Sequence, residues 1–203
     1  MMQDLSKGKQ QRKAMKKAFP HLESERTILR LAQVDDVPAI IQYYTENKVH
    51  LAPLEPTKSD DFYTESYWYF EVKGRLNAFG AGQSLKLFLF KKEDSKVIIG
   101  SINFANFVRA AFQSCTLGYS VAAAEEGKGY MTEALKVAIN YVFIELNLHR
   151  IMAAYIPHNQ RSGRLLKRLG FLVEGYARDY LMIDGQWQDH ILTSLINPNW
   201  QSA

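Results

Sequence analysis

Residues Glu125-Glu126-Gly127-Lys128-Gly129-Tyr130-Met131-Thr132-Glu133 lie between a strand-like run and a helix-like run. The preceding stretch, Cys115 to Val121, reads as extended. The following one sets Met131, Leu135, Ala138, Ile139, Val142 and Leu146 on one helical face. A strand, a glycine turn and a helix in that order aim backbone N–H groups and the positive helix end at an anion. Gly127 and Gly129 let the backbone approach a ligand closely and take positive φ. The spacing therefore points to a diphosphate cradle, with an ordinary loop as the plainer reading. A Walker loop is excluded because no Gly-Lys-Ser or Gly-Lys-Thr closes it. The dinucleotide fingerprint is excluded because its third glycine and its distal acidic residue are missing.

A second strand–helix unit follows. Arg150 to Ile156 reads as a central strand, and Pro157-His158-Asn159-Gln160-Arg161-Ser162 as a polar loop opening a helix. Asn159 is a suitable N-cap and Pro157 keeps the residue before it extended. Leu165, Leu166 and Leu169 form the buried stripe, and Gly170 ends the helix ahead of Phe171. Two consecutive helix N-termini thus carry specific polar loops.

The rest of the chain reads as one α/β domain over residues 21–203. Thr27–Leu31, Leu85–Phe90, Val97–Phe104, 114–121, 150–156, 172–181 and 188–196 are strands. A helix starts near Asp35-Asp36 ahead of Pro38 and runs to Glu46, and another spans 60–78. Pro53 and Pro56 make 51–58 a loop, and Asp184-Gly185 marks a tight hairpin. This predicts a mixed central sheet of about seven strands flanked by about four helices. The aromatic residues of 60–79 fit either a packed core or part of an acceptor cleft.

Charge and cysteine usage narrow the setting. The chain of 203 residues carries +4. Residues 1–20 hold six basic side chains against Asp4, a net of +5, so the remainder is near −1. That segment reads as a basic, flexible tail able to touch ribosomal RNA phosphates, or simply as a solvated terminus. No run of about 18 apolar residues suggests a membrane helix. One cysteine, Cys115, leaves no internal disulfide, which fits the cytoplasm. The histidines have no zinc spacing, so no metal is expected, and no Gly-x-Ser-x-Gly elbow is found.

The two loops, with Leu169-Gly170-Phe171-Leu172-Val173-Glu174-Gly175, resemble the GNAT acetyltransferase superfamily from about Thr27 to Trp200. Leu54-Glu55-Pro56, Asn103 to Arg109, His149 to Ala153, Gly175 to Leu181 and Ile183 to Trp187 are similar to its RimJ-type branch of ribosomal-protein-alanine N-acetyltransferases. The resemblance implies the acyl-CoA N-acyltransferase fold and acetyl-CoA as co-substrate. It implies binding by Val121, Gly127, Lys128, Gly129, Tyr130, Met131, Asn159 and Ser162, with the carrier's arm lying between the strand ending at Val121 and that at 150–156. The family pattern usually has Gln or Arg where this chain has Ala124, so the backbone must carry the cradle there. The acceptor implied is the N-terminal α-amine of a ribosomal protein, beginning with Ala. The enzyme would be a monomer or homodimer.

Chemistry then needs a base, oxyanion donors and help for the leaving thiolate. An α-amine with pKa about 8 is already about one-tenth neutral at pH 7, so the base has little to do. Glu55 and Asp179 are the candidate carboxylates. Alternatively, Glu55 stabilises a turn or binds the incoming ammonium, and Asp179 is a surface partner of Arg178. Strand N–H groups near Val121 would face the oxyanion. The resemblance assigns Ser162 to the thiolate; the plainer reading is a first-turn helix residue that aids capping. The tyrosine that many relatives place after the Asn is absent here, where Gly163 and Arg164 stand. Two other functions fit the same chain. One is acetylation of a small amine such as an aminoglycoside or polyamine, drawing on Glu55, Asp60, Asp61 and Glu65. The other is a non-catalytic, acyl-CoA-binding ribosome-assembly factor.

Overall fold

The computed structural model describes residues 19–202, so the basic segment 1–20 lies almost wholly outside the described residues. Eight strands form a single sheet. In chain order they are β1 (His21–Glu23), β2 (Thr27–Leu31), β3 (Leu85–Lys91), β4 (Ile98–Val108), β5 (Ser114–Val121), β6 (Arg150–Tyr155), β7 (Leu172–Ile183) and β8 (Gln186–Ile196). Across the sheet the order is β1-β2-β3-β4-β5-β6-β8-β7. All neighbours are antiparallel except β5 and β6, because a whole helix separates those two in sequence. The helices are α1 (Val37–Glu46), α2 (Lys48–Leu51), α3 (Glu65–Gly80), α4 (Tyr130–Ile144) and α5 (Gln160–Arg168).

The expected α/β architecture is present, with eight strands and five helices in place of about seven and four. The added strand, β1, is three residues long and has too little pattern to stand out; it exists by pairing with β2. The added helix, α2, is a single turn inside a segment read as a loop. The helix expected over 60–78 is divided. Asp60–Tyr63 is a 3-10 turn, Thr64 is extended at φ −103° and ψ 149°, and α3 starts after it with Tyr67 N–H donating to the Thr64 hydroxyl. The Asp184-Gly185 turn is as expected: both residues have positive φ, and Ile183 faces Gln186.

Two cores sandwich the sheet. Strand β3 is buried on both faces, as a strand under helices on each side must be. Its Leu85, Leu87 and Leu89 join the α4 and α5 side, where Met131, Leu135, Ala138, Ile139 and Val142 supply the expected stripe, Ala134 joins them, and Leu146 is buried there but lies past the helix end at Ile144. Its Phe88 and Phe90 join the α1 and α3 side with Ile40, Tyr43, Tyr44, Phe62, Trp68 and Val72. The aromatic residues of 60–79 are thus divided between core and solvent: Trp68 is fully buried, while Phe70 is 68% exposed. None of them lines the cleft described below. Cys115 is also fully buried, and burial pushes its thiol up to about 12, as suits a structural thiol.

One irregularity positions the site. The β5–β6 ladder runs from Ser114↔Arg150 to Leu117↔Ala153 and stops there. Yet β4 stays paired with β5 to Gly100↔Val121, and β8 stays paired with β6 to Tyr155↔Ile191. The sheet therefore opens into a V beyond Leu117, leaving one edge of β5 free of ladder bonds.

Candidate active site

The opening in the sheet leads into a cleft of about 970 Å³. It is lined from both faces. Gly127, Gly129, Tyr130, Met131, Asn159, Arg161 and Ser162 come from the α4 and α5 side. His50, Leu54, Glu55, Ser101, Asn103 and Ser120 come from the other. Strand alternation explains the second set. Ser101 faces Ser120 and Asn103 faces Gly118 on β4 and β5, so this face is paved with small polar groups.

The glycine loop forms one end. Gly127 and Gly129 have φ of +74° and +88°, the left-handed region that glycine enters without penalty. Gly129 caps α4, and the first intrahelical bonds come from Thr132 and Glu133 N–H, both to Gly129 O. The earlier N–H groups are left to face a ligand. Arg26, from the β1–β2 turn, braces the loop. Its guanidinium donates to Lys128 O at 3.0 Å, pairs with Glu133 and lies over the Tyr130 ring at 4.5 Å. Hydrogen bonding from Arg26 holds the Glu133 carboxyl below its ordinary value. Glu125 is held by Lys91 at 2.8 Å and by Lys128 at 3.0 Å. Glu126 pairs with Arg161 of α5 and lies 3.7 Å from His50 of α2. The Lys128 side chain is exposed and bonded to Glu125, its carbonyl is taken by Arg26, and Lys128 does not line the cleft, unlike Gly127 and Gly129 on either side.

The α5 end lies across the opening. Asn159 Oδ1 accepts from Ser162 N–H at 3.1 Å, making Asn159 the helix cap with its amide group at the cleft. Ser162 Oγ is 2.7 Å from the phenol of Tyr119, on β5. Burial pushes the Tyr119 phenol up to about 12, with the Ser162 contact pulling it partly back. Tyr155 packs where a side chain on Gly163 would be: a Cβ there would sit 2.8 Å from the ring. Sequence reasoning missed Tyr119, Tyr155 and Arg26. The glycine at 163 was the one signal for Tyr155, and nothing local points to the other two.

The far end would receive an acceptor. Glu55 lines it, with Lys58 Nζ at 3.4 Å, and Glu55 O accepts from Asp184 N–H at 3.1 Å. That bond fastens the 51–58 segment to the β7–β8 hairpin, whose Tyr180, Leu181 and Ile183 form the opposite wall. Below lies a chain of hydroxyls: Tyr43 to Ser120 at 3.0 Å, and Ser120 to Ser101 at 3.0 Å. Burial raises the Tyr43 phenol far above its ordinary value, so it stays protonated. Asp179 is not brought to the cleft. It is exposed, has φ +45° inside a bulge of β7 between Ala177 and Leu181, and its N–H donates to Asp189 at 2.8 Å. Of the acidic residues read near Glu55, neither Asp60, Asp61 nor Glu65 lines the cleft. Among the described residues no group of three or more His, Cys, Asp or Glu is placed to hold a metal ion.

An opened parallel pair, a glycine-capped helix at its mouth and a second helix N-terminus across it define an acyl-carrier site beside an amine cleft. The acetyltransferase (GNAT) domain family matches residues 26–172, and the chain belongs to that family. It is 46% identical over 179 residues to the [ribosomal protein uS5]-alanine N-acetyltransferase of Escherichia coli (strain K12), covering 88% of this chain and 92% of that protein. The structure of the ribosomal-protein-S5-alanine acetyltransferase from Vibrio fischeri is 38% identical. It superposes with a TM-score of 0.86 over 90% of this chain and 100% of that one. Mycobacterium smegmatis RimJ in complex with CoA-disulfide is 26% identical, with a TM-score of 0.80 over 91% and 90% of the two chains.

Proposed function

We propose that this enzyme transfers an acetyl group from acetyl-CoA to the N-terminal α-amine of a ribosomal protein that begins with alanine. The observation that carries the reading is the open V between β5 and β6, which joins the glycine-capped end of α4 to a polar groove on the other sheet face. Identity of 46% to an enzyme named for this reaction, across most of both chains, supports the acceptor class.

In this reading acetyl-CoA supplies the activated acyl group, and the chain holds and orients it. Backbone N–H groups at Gly127, Gly129, Tyr130 and Met131 hold the diphosphate, and the Asn159 amide and Val121 backbone meet the arm. The free edge of β5 beyond Leu117 offers N–H donors to the oxyanion. Glu55 binds the incoming ammonium and takes its proton through water, since Asp179 is outside the cleft. Ser162 hydrogen-bonds the leaving sulfur. A polyamine or aminoglycoside acceptor is less well served. Of the carboxylates at the cleft, Glu125, Glu126 and Glu174 pair with Lys91, Arg161 and Arg150, and Glu55 with Lys58 at 3.4 Å, so they form no cluster of unpaired carboxylates for a polycation.

The test is thiol release from acetyl-CoA with peptides beginning Ala, Ser, Met or acetyl-Ala, alongside spermidine and an aminoglycoside. Turnover with a free Ala terminus and none with acetyl-Ala is expected. Turnover on small amines alone would transfer the function to that class. CoA binding without turnover on any acceptor, including the folded ribosomal protein, would leave an assembly factor.

A further inference from the structure

We propose that Tyr119 is a positioning residue for acetyl transfer: its phenol donates to Ser162 Oγ, leaving the Ser162 hydroxyl proton free for the departing sulfur. The inference rests on the acetyl-CoA reading above and adds a residue to it.

The geometry carries it. Tyr119 on β5 and Ser162 on α5 are 43 residues apart, and their hydroxyl oxygens are 2.7 Å apart across the opening of the sheet. Both residues line the cleft. A hydroxyl has one proton and two acceptor sites. If Ser162 donated to Tyr119, its proton would be spent, and Ser162 Oγ would offer the sulfur only lone pairs. If Tyr119 donates, Ser162 accepts on one side and donates into the cleft on the other. The phenol is the stronger donor of the two by acidity. The phenol has one proton and a second acceptor within reach, Ser162 O at 3.5 Å, but the 2.7 Å contact to Oγ is much the shorter and takes that proton. Burial keeps its proton in place at working pH, with the phenol pushed up to about 12. The ring itself packs against the α4-side core, and the Asn159 cap on Ser162 N–H fixes the backbone from which the Ser162 hydroxyl projects.

The step balances without Tyr119 losing its proton. The amine nitrogen bonds to the acyl carbon, the C–S bond breaks and its electron pair goes to sulfur. The amine proton leaves through water toward Glu55. Ser162 hydrogen-bonds the thiolate while Tyr119 holds Ser162 Oγ, and solvent later protonates the thiolate to the thiol.

The experiment compares wild type, Tyr119→Phe, Ser162→Ala and the double variant. Phenylalanine keeps the ring in the core, and thermal melting checks that it does. The first readout needs no turnover: the thiol of enzyme-bound CoA is titrated by its thiolate absorbance. It should titrate about one unit lower in wild type than in Tyr119→Phe, and the double variant should match Ser162→Ala. The second readout is kinetic. Tyr119→Phe should lose about tenfold in kcat with the KM for acetyl-CoA nearly unchanged, as one hydrogen bond to a charged centre predicts. Losses in the double variant should not multiply, because Tyr119 has nothing to orient once the Ser162 hydroxyl is gone. Equal thiol titration in wild type and Tyr119→Phe, with CoA still bound, would overturn the inference and leave the acetyl-CoA reading intact. Multiplying losses would do the same. Failure of wild type to bind CoA would overturn both.

Discussion

Replacing Gly127 and Gly129 by alanine, one at a time, separates a ligand cradle from a mere turn. At Gly127, φ is +74° and a Cβ would meet nothing within 4 Å. At Gly129, φ is +88° and a Cβ would lie 3.3 Å from Arg26 Nη2. An L-residue in this backbone region costs about 1–2 kcal/mol. In a domain of this size that lowers Tm by roughly 2–8 °C. Gly129→Ala should sit at the upper end, because Arg26 must also give way and loosen its hold on Lys128 O. Affinity for CoA should fall further than stability. Relieving the strain rotates peptide planes, and each misdirected N–H loses a charge-assisted hydrogen bond of about 1.5–3 kcal/mol, about 10- to 100-fold in Kd. Calorimetric titration with CoA, beside thermal melts of the same samples, reads both quantities. If both variants melt lower yet bind CoA within twofold of wild type, the loop is only a turn and the cradle assignment fails.

Three further outcomes are expected. Arg26→Ala should raise the KM for acetyl-CoA about 3- to 10-fold with kcat retained, since Arg26 shapes the loop without reaching the reacting atoms; steady-state kinetics checks it, and a loss confined to kcat would count against it. Glu55→Gln should lower kcat/KM by about 10- to 100-fold with an Ala-initiated peptide, and the deficit should shrink as pH rises and the amine deprotonates itself; a pH-independent deficit would remove Glu55 from proton transfer. Asp36→Asn should destabilise the fold at pH 7 by about 1 kcal/mol. Burial raises the Asp36 carboxyl, but hydrogen bonds from Arg30 and Gln33 N–H outweigh it and leave it below 3.8. Its contribution is therefore present above the unfolded value and lost as pH falls through the folded one. Urea melts of the two proteins should begin to draw together below about pH 4 and meet only below the lowered value of the folded carboxyl.

What the sequence disclosed was what local spacing can encode. The α4 stripe, the Asn159 cap and the Asp184-Gly185 turn each depend on residues a few positions apart, and each stands where expected. β1 was invisible because three residues cannot display an alternation. Helix α3 was drawn too long because an N-cap at Thr64 competes poorly, on paper, with the aromatic run on both sides. Asp179 illustrates a different limit. The resemblance puts it on a strand beside the cleft, but β7 slips register between Val173 and Gly175 and again after Ala177↔His190, where pairing resumes only at Leu181↔Gln188. The two extra residues on β7 re-aim every side chain between, and a bulge leaves no periodic trace. The Tyr119–Ser162 contact lay beyond reach for a third reason. It depends on where one ladder stops, and that is a property of the whole sheet.

The window between β5 and β6 also has a kinetic meaning. In the function proposed above, donor and acceptor would enter from opposite faces and meet only at the reacting atoms, so neither would block the other's route. A folded protein can seat its terminus in the groove while the spent carrier withdraws on the other side. Such an enzyme works through a ternary complex, with lines that intersect rather than run parallel when both substrates are varied. A molecule that spans the window and ties the two half-sites together should bind more tightly than either half alone.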